Sequence, residues 1–202
     1  SLLFLALEWR ASLGALGWPD RLHNAVFQSV TLRTAGFNSV DFAELLPETR
    51  AWMLGFMFIG GAPGSTAGGI KVTTFAVILL SVAAAVRGRP EAVFMSRRIS
   101  HDTFYRAAAI FVLGLGSVVG LWMALLLTQT LPPLEALFEA VSALGTVGLS
   151  LGATAELDEV GKVLVSIGMF AGRLGPVTML FLFAAERRPP KWGYPEVELP
   201  VG

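Results

Sequence analysis

Apolar residues run along this chain in long blocks, without the short alternations of a soluble core. Residues 107–127 contain no ionisable side chain, which is long enough to cross a hydrocarbon layer of roughly 30 Å. Residues 163–185 form a second block with one charge, Arg173, and residues 70–86 carry only Lys71, with the apolar stretch 51–59 just before them. The pattern predicts membrane helices over about 104–129 and 160–186, and a long inner helix over about 50–86. Two shorter apolar stretches, 22–32 and 134–144, are too brief to span a bilayer, and each ends in a glycine turn. Such segments are expected to be re-entrant, a form tolerated at membrane depth only where it lines a cavity. The chain opens on the apolar run 2–7 with no initiator Met, basic n-region or small-residue cleavage site. Residues 1–9 are therefore read as the end of a membrane helix and not as a signal peptide.

Composition strengthens this picture. The hydrophobic fraction is 54% and the charged fraction 15%, against about 25% charged in a typical soluble domain; mean hydropathy is +0.65. A net charge of zero gives no basic footprint for nucleic acid, and the absence of cysteine excludes disulfides and thiol chemistry. Arg87, Arg89, Arg97, Arg98 and Arg106 crowd one inter-block linker, while Arg187, Arg188 and Lys191 follow the last block. The positive-inside rule makes both segments cytoplasmic. The acidic segments around Asp41, Glu44 and Glu48, and around Glu156, Asp158 and Glu159, then fall on the opposite side. The expectation is an all-α, multi-pass membrane protein with its C-terminus in the cytoplasm.

An internal repeat divides the chain. Thr34-Ala35-Gly36-Phe37 matches Thr146-Val147-Gly148-Leu149 at an offset of 112, and Met57-Phe58-Ile59-Gly60 matches Met169-Phe170-Ala171-Gly172 at the same offset. Two matches at one offset argue for duplication. Each copy reads helix, pore loop, helix, with one unit over 1–90, a second over 91–188 and a tail over 189–202.

The Thr-x-Gly turns suit a cation. A partly dehydrated ion needs several oxygens at close range, and backbone carbonyls supply them without a counter-charge. Turning successive carbonyls inward requires backbone angles that glycine adopts freely, and the preceding short helix points its partially negative end at the site. The candidate filter residues are Thr34, Ala35, Gly36 and Phe37 with Thr146, Val147, Gly148 and Leu149. Singly, each triplet is also ordinary turn sequence.

Between 60 and 71 the inner helix must break. Gly60, Gly61, Gly64, Gly68 and Gly69, with Pro63 among them, do not fit one helix, and an unbroken helix over 50–86 would reach about 54 Å. This loop, with Ser65, Thr66 and Lys71, is a candidate gate across a permeation path; the alternative is a static packing kink. The spacing from Gly64 to Gly69 approaches a nucleotide P-loop, but Ile70 stands where lysine is required, so ATP binding is excluded here. Arg173 lies inside the last block, where cations are costly. At the repeat offset it corresponds to Gly61, which places it below the filter, where it would repel a resident cation. A structural pair with a backbone carbonyl or a buried acid is the other reading. Lys71 could latch the gate or snorkel to the interface. His23 and His101 have no ligand-spaced partners for a metal, and no acid–base or nucleophile set supports an enzyme.

These motifs resemble a known family. The segment Phe27-Gln28-Ser29-Val30-Thr31-Leu32-Arg33-Thr34-Ala35-Gly36-Phe37-Asn38 resembles the third pore loop of the Ktr/Trk/HKT superfamily. Residues 57–71 resemble the intramembrane loop that follows it. Ser142-Ala143-Leu144-Gly145-Thr146-Val147-Gly148-Leu149-Ser150 is similar to the fourth pore loop of the Ktr branch, and Gly172-Arg173-Leu174-Gly175-Pro176 to its last inner helix. Residues 194–202 are similar to the C-terminus of a Ktr membrane subunit. The resemblance implies two of four helix–pore–helix units around a pseudo-fourfold pore, in a homodimeric subunit of a bacterial cell membrane. It implies K+ as the transported ion, held by filter carbonyls, with Na+ as a candidate coupling ion. It also implies a cytosolic RCK-type ring that binds ATP or ADP, while this chain binds no cofactor and contacts only lipid otherwise. The chain is expected to be a fragment carrying units three and four. A sodium transporter of the same superfamily and a non-conducting membrane scaffold are the alternatives.

Overall fold

The computed structural model describes residues 1–89 and 91–183, without the side chains of Ala43 and of residues 176–183. Arg187, Arg188, Lys191 and the tail expected over 189–202 lie outside the described residues.

Among the described residues eight α-helices follow in chain order: α1 (Leu2–Glu8), α2 (Trp18–Thr31), α3 (Pro47–Phe58), α4 (Val72–Val86), α5 (His101–Thr128), α6 (Pro133–Gly145), α7 (Ala153–Glu156) and α8 (Glu159–Phe183). Proline within the first two positions starts α2, α3 and α6, where its fixed φ is pre-set for a helix and its missing N–H costs nothing. Ser100 caps α5 by accepting from the Thr103 amide. The long inner helix breaks where its glycines predict, with α3 stopping at Phe58 and α4 starting at Val72.

Two features depart from the expected pattern. In the basic linker, β1 (Val93–Phe94) pairs antiparallel with β2 (Arg97–Arg98) across Met95 and Ser96, both at positive φ, the conformation that a tight two-residue hairpin demands. The last helix is also kinked, since Gly175 sits at φ 77°, ψ 151° inside α8. Glycine permits the positive φ, and the proline at 176 favours the extended ψ of the residue before it.

Packing centres on α6, which is buried along most of its length and contacts α3, α5 and α8. Phe138 and Val141 from α6 join Phe4, Met53, Met57, Val147 and Leu149 in one apolar cluster, while Ala136, Ala140 and Ala143 join Leu125, Leu157 and Val165 in another. The outer surfaces are the reverse of a soluble protein's. Val112, Leu115, Val119 and Met123 form an exposed stripe on α5, and Val160, Val163, Ile167 and Phe170 one on α8. Both repeat at helical spacing, which suits lipid and would be unfavourable in water. Among the described residues, α5 is the one helix long and apolar enough to cross a bilayer by itself.

A matching brace ties each outer helix to the inner helix of its half. The Glu8 carboxylate, fully buried, accepts from the Leu46 amide (3.0 Å) at the start of α3 and from the Ser12 amide (3.2 Å). In the second half Gln129 accepts from the Asp158 amide (3.1 Å) at the start of α8 and donates to the Asp158 carboxylate (2.6 Å). The Gly161 amide, with that Gln129 bond next in weight, holds the Asp158 carboxyl below its ordinary range.

Candidate functional site

Both Thr-x-Gly turns leave their short helices with the same alternation of backbone hand. Thr34 and Gly36 have φ of 69° and 75°, and Thr146 and Gly148 have 52° and 85°, whereas Ala35 and Val147 between them stay on the ordinary side. Alternating left- and right-handed residues turns successive peptide carbonyls towards the same edge of the strand, which is the arrangement a cation needs. Thr146 occupies the left-handed position closing α6, with its own amide donating to Ala143 and the Val147 amide to Ser142, a Schellman-type end usually given to glycine. A non-glycine residue held there costs about 1–2 kcal/mol, so the surrounding structure must impose it.

What imposes it is a hydroxyl beneath each turn. Thr31 Oγ1 accepts from the Phe37 amide (3.0 Å) and donates to the Phe37 carbonyl (2.5 Å), while Ser142 Oγ accepts from the Leu149 amide (3.0 Å). Both hydroxyl residues are buried. Behind the first turn, the buried Gln28 side-chain carbonyl accepts from the Ser39 and Val40 amides (2.8 and 3.2 Å). Behind the second, buried Glu139 accepts from Thr154 Oγ1. The two turns abut: a Cβ placed on Gly36 would lie 2.8 Å from the Val147 carbonyl oxygen, and one on Gly148 would lie 3.4 Å from Gly36 Cα. The sequence-predicted residues Gly36, Val147 and Gly148 are thus brought together. Phe37 points away, 69% exposed, whereas its counterpart Leu149 is 4% exposed.

The glycine-rich loop has a closed neck. Ile59 and Ile70 form a parallel bridge, supported by Gly60 N–H to the Ile70 carbonyl (2.8 Å), Ile70 N–H to the Phe58 carbonyl (3.0 Å) and Val72 N–H to the Gly61 carbonyl (3.1 Å). Gly64 and Gly69 take positive φ. Gly60 admits no side chain, because a Cβ would overlap the Gly68 carbonyl oxygen. Three cations hold the loop by its carbonyls. Arg33 Nη1 donates to Ile59 and Gly60 (3.2 and 2.9 Å), Lys71 Nζ to Ser65 and Ala67 (3.2 and 2.6 Å), and Arg173 Nη1 to Thr66 (2.9 Å). Among the described residues no carboxylate pairs with any of the three. Arg173, inside the last helix, thus has a backbone-carbonyl partner on the loop.

The loop also touches the second turn. The Gly68 amide donates to Thr146 Oγ1 (3.1 Å), and a Cβ on Gly68 would lie 2.6 Å from the Gly145 carbonyl. The loop also borders a cleft of about 360 Å³, lined by Ser65, Thr66, Gly68, Lys71 and Arg173 among others. Arg33, Thr31, Ser142 and Gln28 were not singled out by sequence. Arg33 could have been suspected from its place against the first Thr-x-Gly turn, but the hydroxyl anchors give no pattern of their own.

Residues 10–191 match the sequence profile of the family described as TrkH, cation transport protein. The chain is 46% identical over 173 residues to the Ktr system potassium uptake protein B of Bacillus subtilis, covering 86% of this chain and 39% of that protein. It is 36% identical over 208 residues to the potassium/sodium uptake protein NtpJ of Enterococcus hirae, covering 100% of this chain and 46% of that protein. The crystal structure of the potassium transporter TrkH from Vibrio parahaemolyticus superposes with a TM-score of 0.76 at 24% identity, over 91% of this chain and 41% of that one. The chain therefore spans about two-fifths of the length of these relatives.

Proposed function

Because this chain belongs to the TrkH family of membrane cation transport proteins, we propose that it serves potassium uptake through a channel-like pore. Residues 1–90 and 91–188 are two helix–pore loop–helix units, half of a pseudo-fourfold ring. Thr34 to Phe37 and Thr146 to Leu149 are two strands of the selectivity filter, and their carbonyls replace the water of a partly dehydrated K+. The observation that carries the reading is the pairing of the two turns. Each has two left-handed residues at the same positions, and Gly36 lies against the Val147 carbonyl.

The loop 60–71 is the gate. It touches the second strand at Thr146 and borders the cleft, and two hydrogen bonds tie it to the second half, Gly68 N–H to Thr146 and Arg173 to Thr66. Each is worth about 0.5–1.5 kcal/mol net, more where charge assists, so the closed position is stable yet reversible. The basic linker 87–106 and the C-terminal tail face the cytoplasm. There a nucleotide-binding ring of the RCK type, which binds ATP or ADP in place of this chain, would shift the loop, in a membrane subunit that acts as a homodimer. The B. subtilis relative is named as one lettered protein of a Ktr system, which supports a separate regulatory component.

The test expresses the complete gene in a bacterium stripped of potassium uptake. Wild type should restore growth in low-millimolar potassium. Gly148→Ser should need roughly tenfold more potassium, the effect of losing about one interaction of 1.4 kcal/mol. Gly36→Ser should be worse, since its Cβ also strikes Val147. No rescue despite verified membrane expression with the regulatory partner would overturn the potassium assignment. Sodium is the second reading, favoured by the name of the E. hirae relative; uptake of sodium in place of rubidium by the same cells would establish it.

A further inference from the structure

The two threonines that open the turns are equivalent in sequence and backbone, but only one is engaged by the loop. Thr146 Oγ1 accepts the Gly68 amide at 3.1 Å. In the first half Arg33, not Thr34, reaches the loop, through the carbonyls of Ile59 and Gly60. Gly68 also lines the cleft, so one loop residue both borders that cleft and meets Thr146. No side chain fits there, because a Cβ on Gly68 would overlap Thr146 Oγ1 and approach the Gly145 carbonyl to 2.6 Å.

A threonine hydroxyl at the end of a row of carbonyls is a neutral oxygen ligand that a monovalent cation can share with its backbone neighbours. An amide N–H aimed at the same oxygen brings a partial positive charge to the place where the cation would sit. The two cannot be accommodated together without electrostatic cost. We propose that the Thr146 hydroxyl is a side-chain ligand for the cation seat nearest the loop, and that Gly68 N–H occupies this seat while the loop is closed. This rests on the pore reading above. Loop closure then removes the innermost cation site as well as blocking the path, and a cation arriving at Thr146 competes with the latch. Potassium itself therefore favours loop release, because it binds the released state more tightly than the closed one.

The test uses the full-length pore protein in proteoliposomes without its regulatory subunit, with rubidium uptake read against rubidium concentration. Thr146→Val removes the hydroxyl at nearly constant volume and should have two effects. Basal uptake at saturating rubidium should rise roughly fivefold, as loss of one ordinary hydrogen bond from the closed state requires. The concentration for half-maximal uptake should rise several-fold, because a ligand is lost. Thr146→Ser keeps the hydroxyl and should restore both values towards wild type. If Thr146→Val weakens affinity with no rise in basal uptake, the hydroxyl is only a ligand. If it raises uptake at unchanged affinity, the hydroxyl is only a latch. Either result overturns the shared seat. Thr146→Ala is read by the same two criteria should the valine variant not reach the membrane. Failure of the wild type to take up rubidium at all would count against the pore reading itself and is distinguishable from both.

Discussion

The two halves of this molecule share a plan and differ in what they do with it. In the second half α6 is buried on nearly every side, its turn is buried at Leu149, and the inner helix α8 runs unbroken to Gly175. In the first half α2 leaves Trp18, Val26, Phe27 and Val30 exposed, its turn ends in an exposed Phe37, and the inner helix is interrupted between Phe58 and Val72. The difference is concentrated at one repeat position. Gly61 opens the break in one copy, and Arg173 stands at its equivalent in the other, reaching Thr66 on the first copy's loop. On the proposed reading one copy is the frame and the other carries the moving part, and the frame supplies a cation that holds it. A duplicated sequence can divide labour in this way because a helix break and an anchoring side chain need only a few substitutions at matched sites.

The sharpest way to break this comparison uses its matched glycines, Gly60 and Gly172. A Cβ at Gly172 overlaps the backbone of Leu144 at its carbonyl and carbonyl carbon, inside the most buried helix of the protein. Gly172→Ala should therefore lower stability by about 3 kcal/mol, at the upper end for overpacking, with a clear fall in the detergent melting temperature. The nearest atoms to a Cβ at Gly60 all belong to the loop itself, at Gly68 and Gly69. Gly60→Ala should displace the loop, raise basal rubidium uptake and change the melting temperature much less. Equal melting losses for the two variants would erase the distinction between frame and moving part.

A smaller effect is expected from the anchor. Arg173→Gln removes a charge-assisted bond to Thr66, and basal rubidium uptake should rise by roughly tenfold, as loss of about 1.5 kcal/mol from the closed state, the low end for such a bond, implies. Arg173→Lys should fall between. A variant with lower melting temperature and unchanged uptake would make Arg173 a packing device, the static reading of this loop.

Much of this arrangement was legible in the sequence. The offset of 112 located both turns, and Gly36 and Gly148 take the left-handed angles expected of glycine there, whereas the left-handed Thr34 and Thr146 are not signalled by the sequence. The helix break could be read because glycine and proline act locally. Other features were hidden for one physical reason: they join residues far apart in the chain. Gly68 meets Thr146, and Arg173 meets Thr66, across 78 and 107 residues. The paired braces at Glu8 and Gln129 were obscured because the connection from α1 to α2 is longer than that from α5 to α6, which shifts them out of the repeat register. Gly175 was read as part of a helix because the hydrophobic run continues through it, although Pro176 gave the local signal for a kink.

The central claim is that the two turns together hold a cation by their carbonyls. The most direct measurement is the anomalous scattering of rubidium in crystals of the full-length protein. The account predicts a rubidium peak within coordination distance of the Val147 carbonyl and of the backbone between Thr34 and Gly36. A rubidium-loaded crystal with the two turns ordered and no peak between them would contradict it.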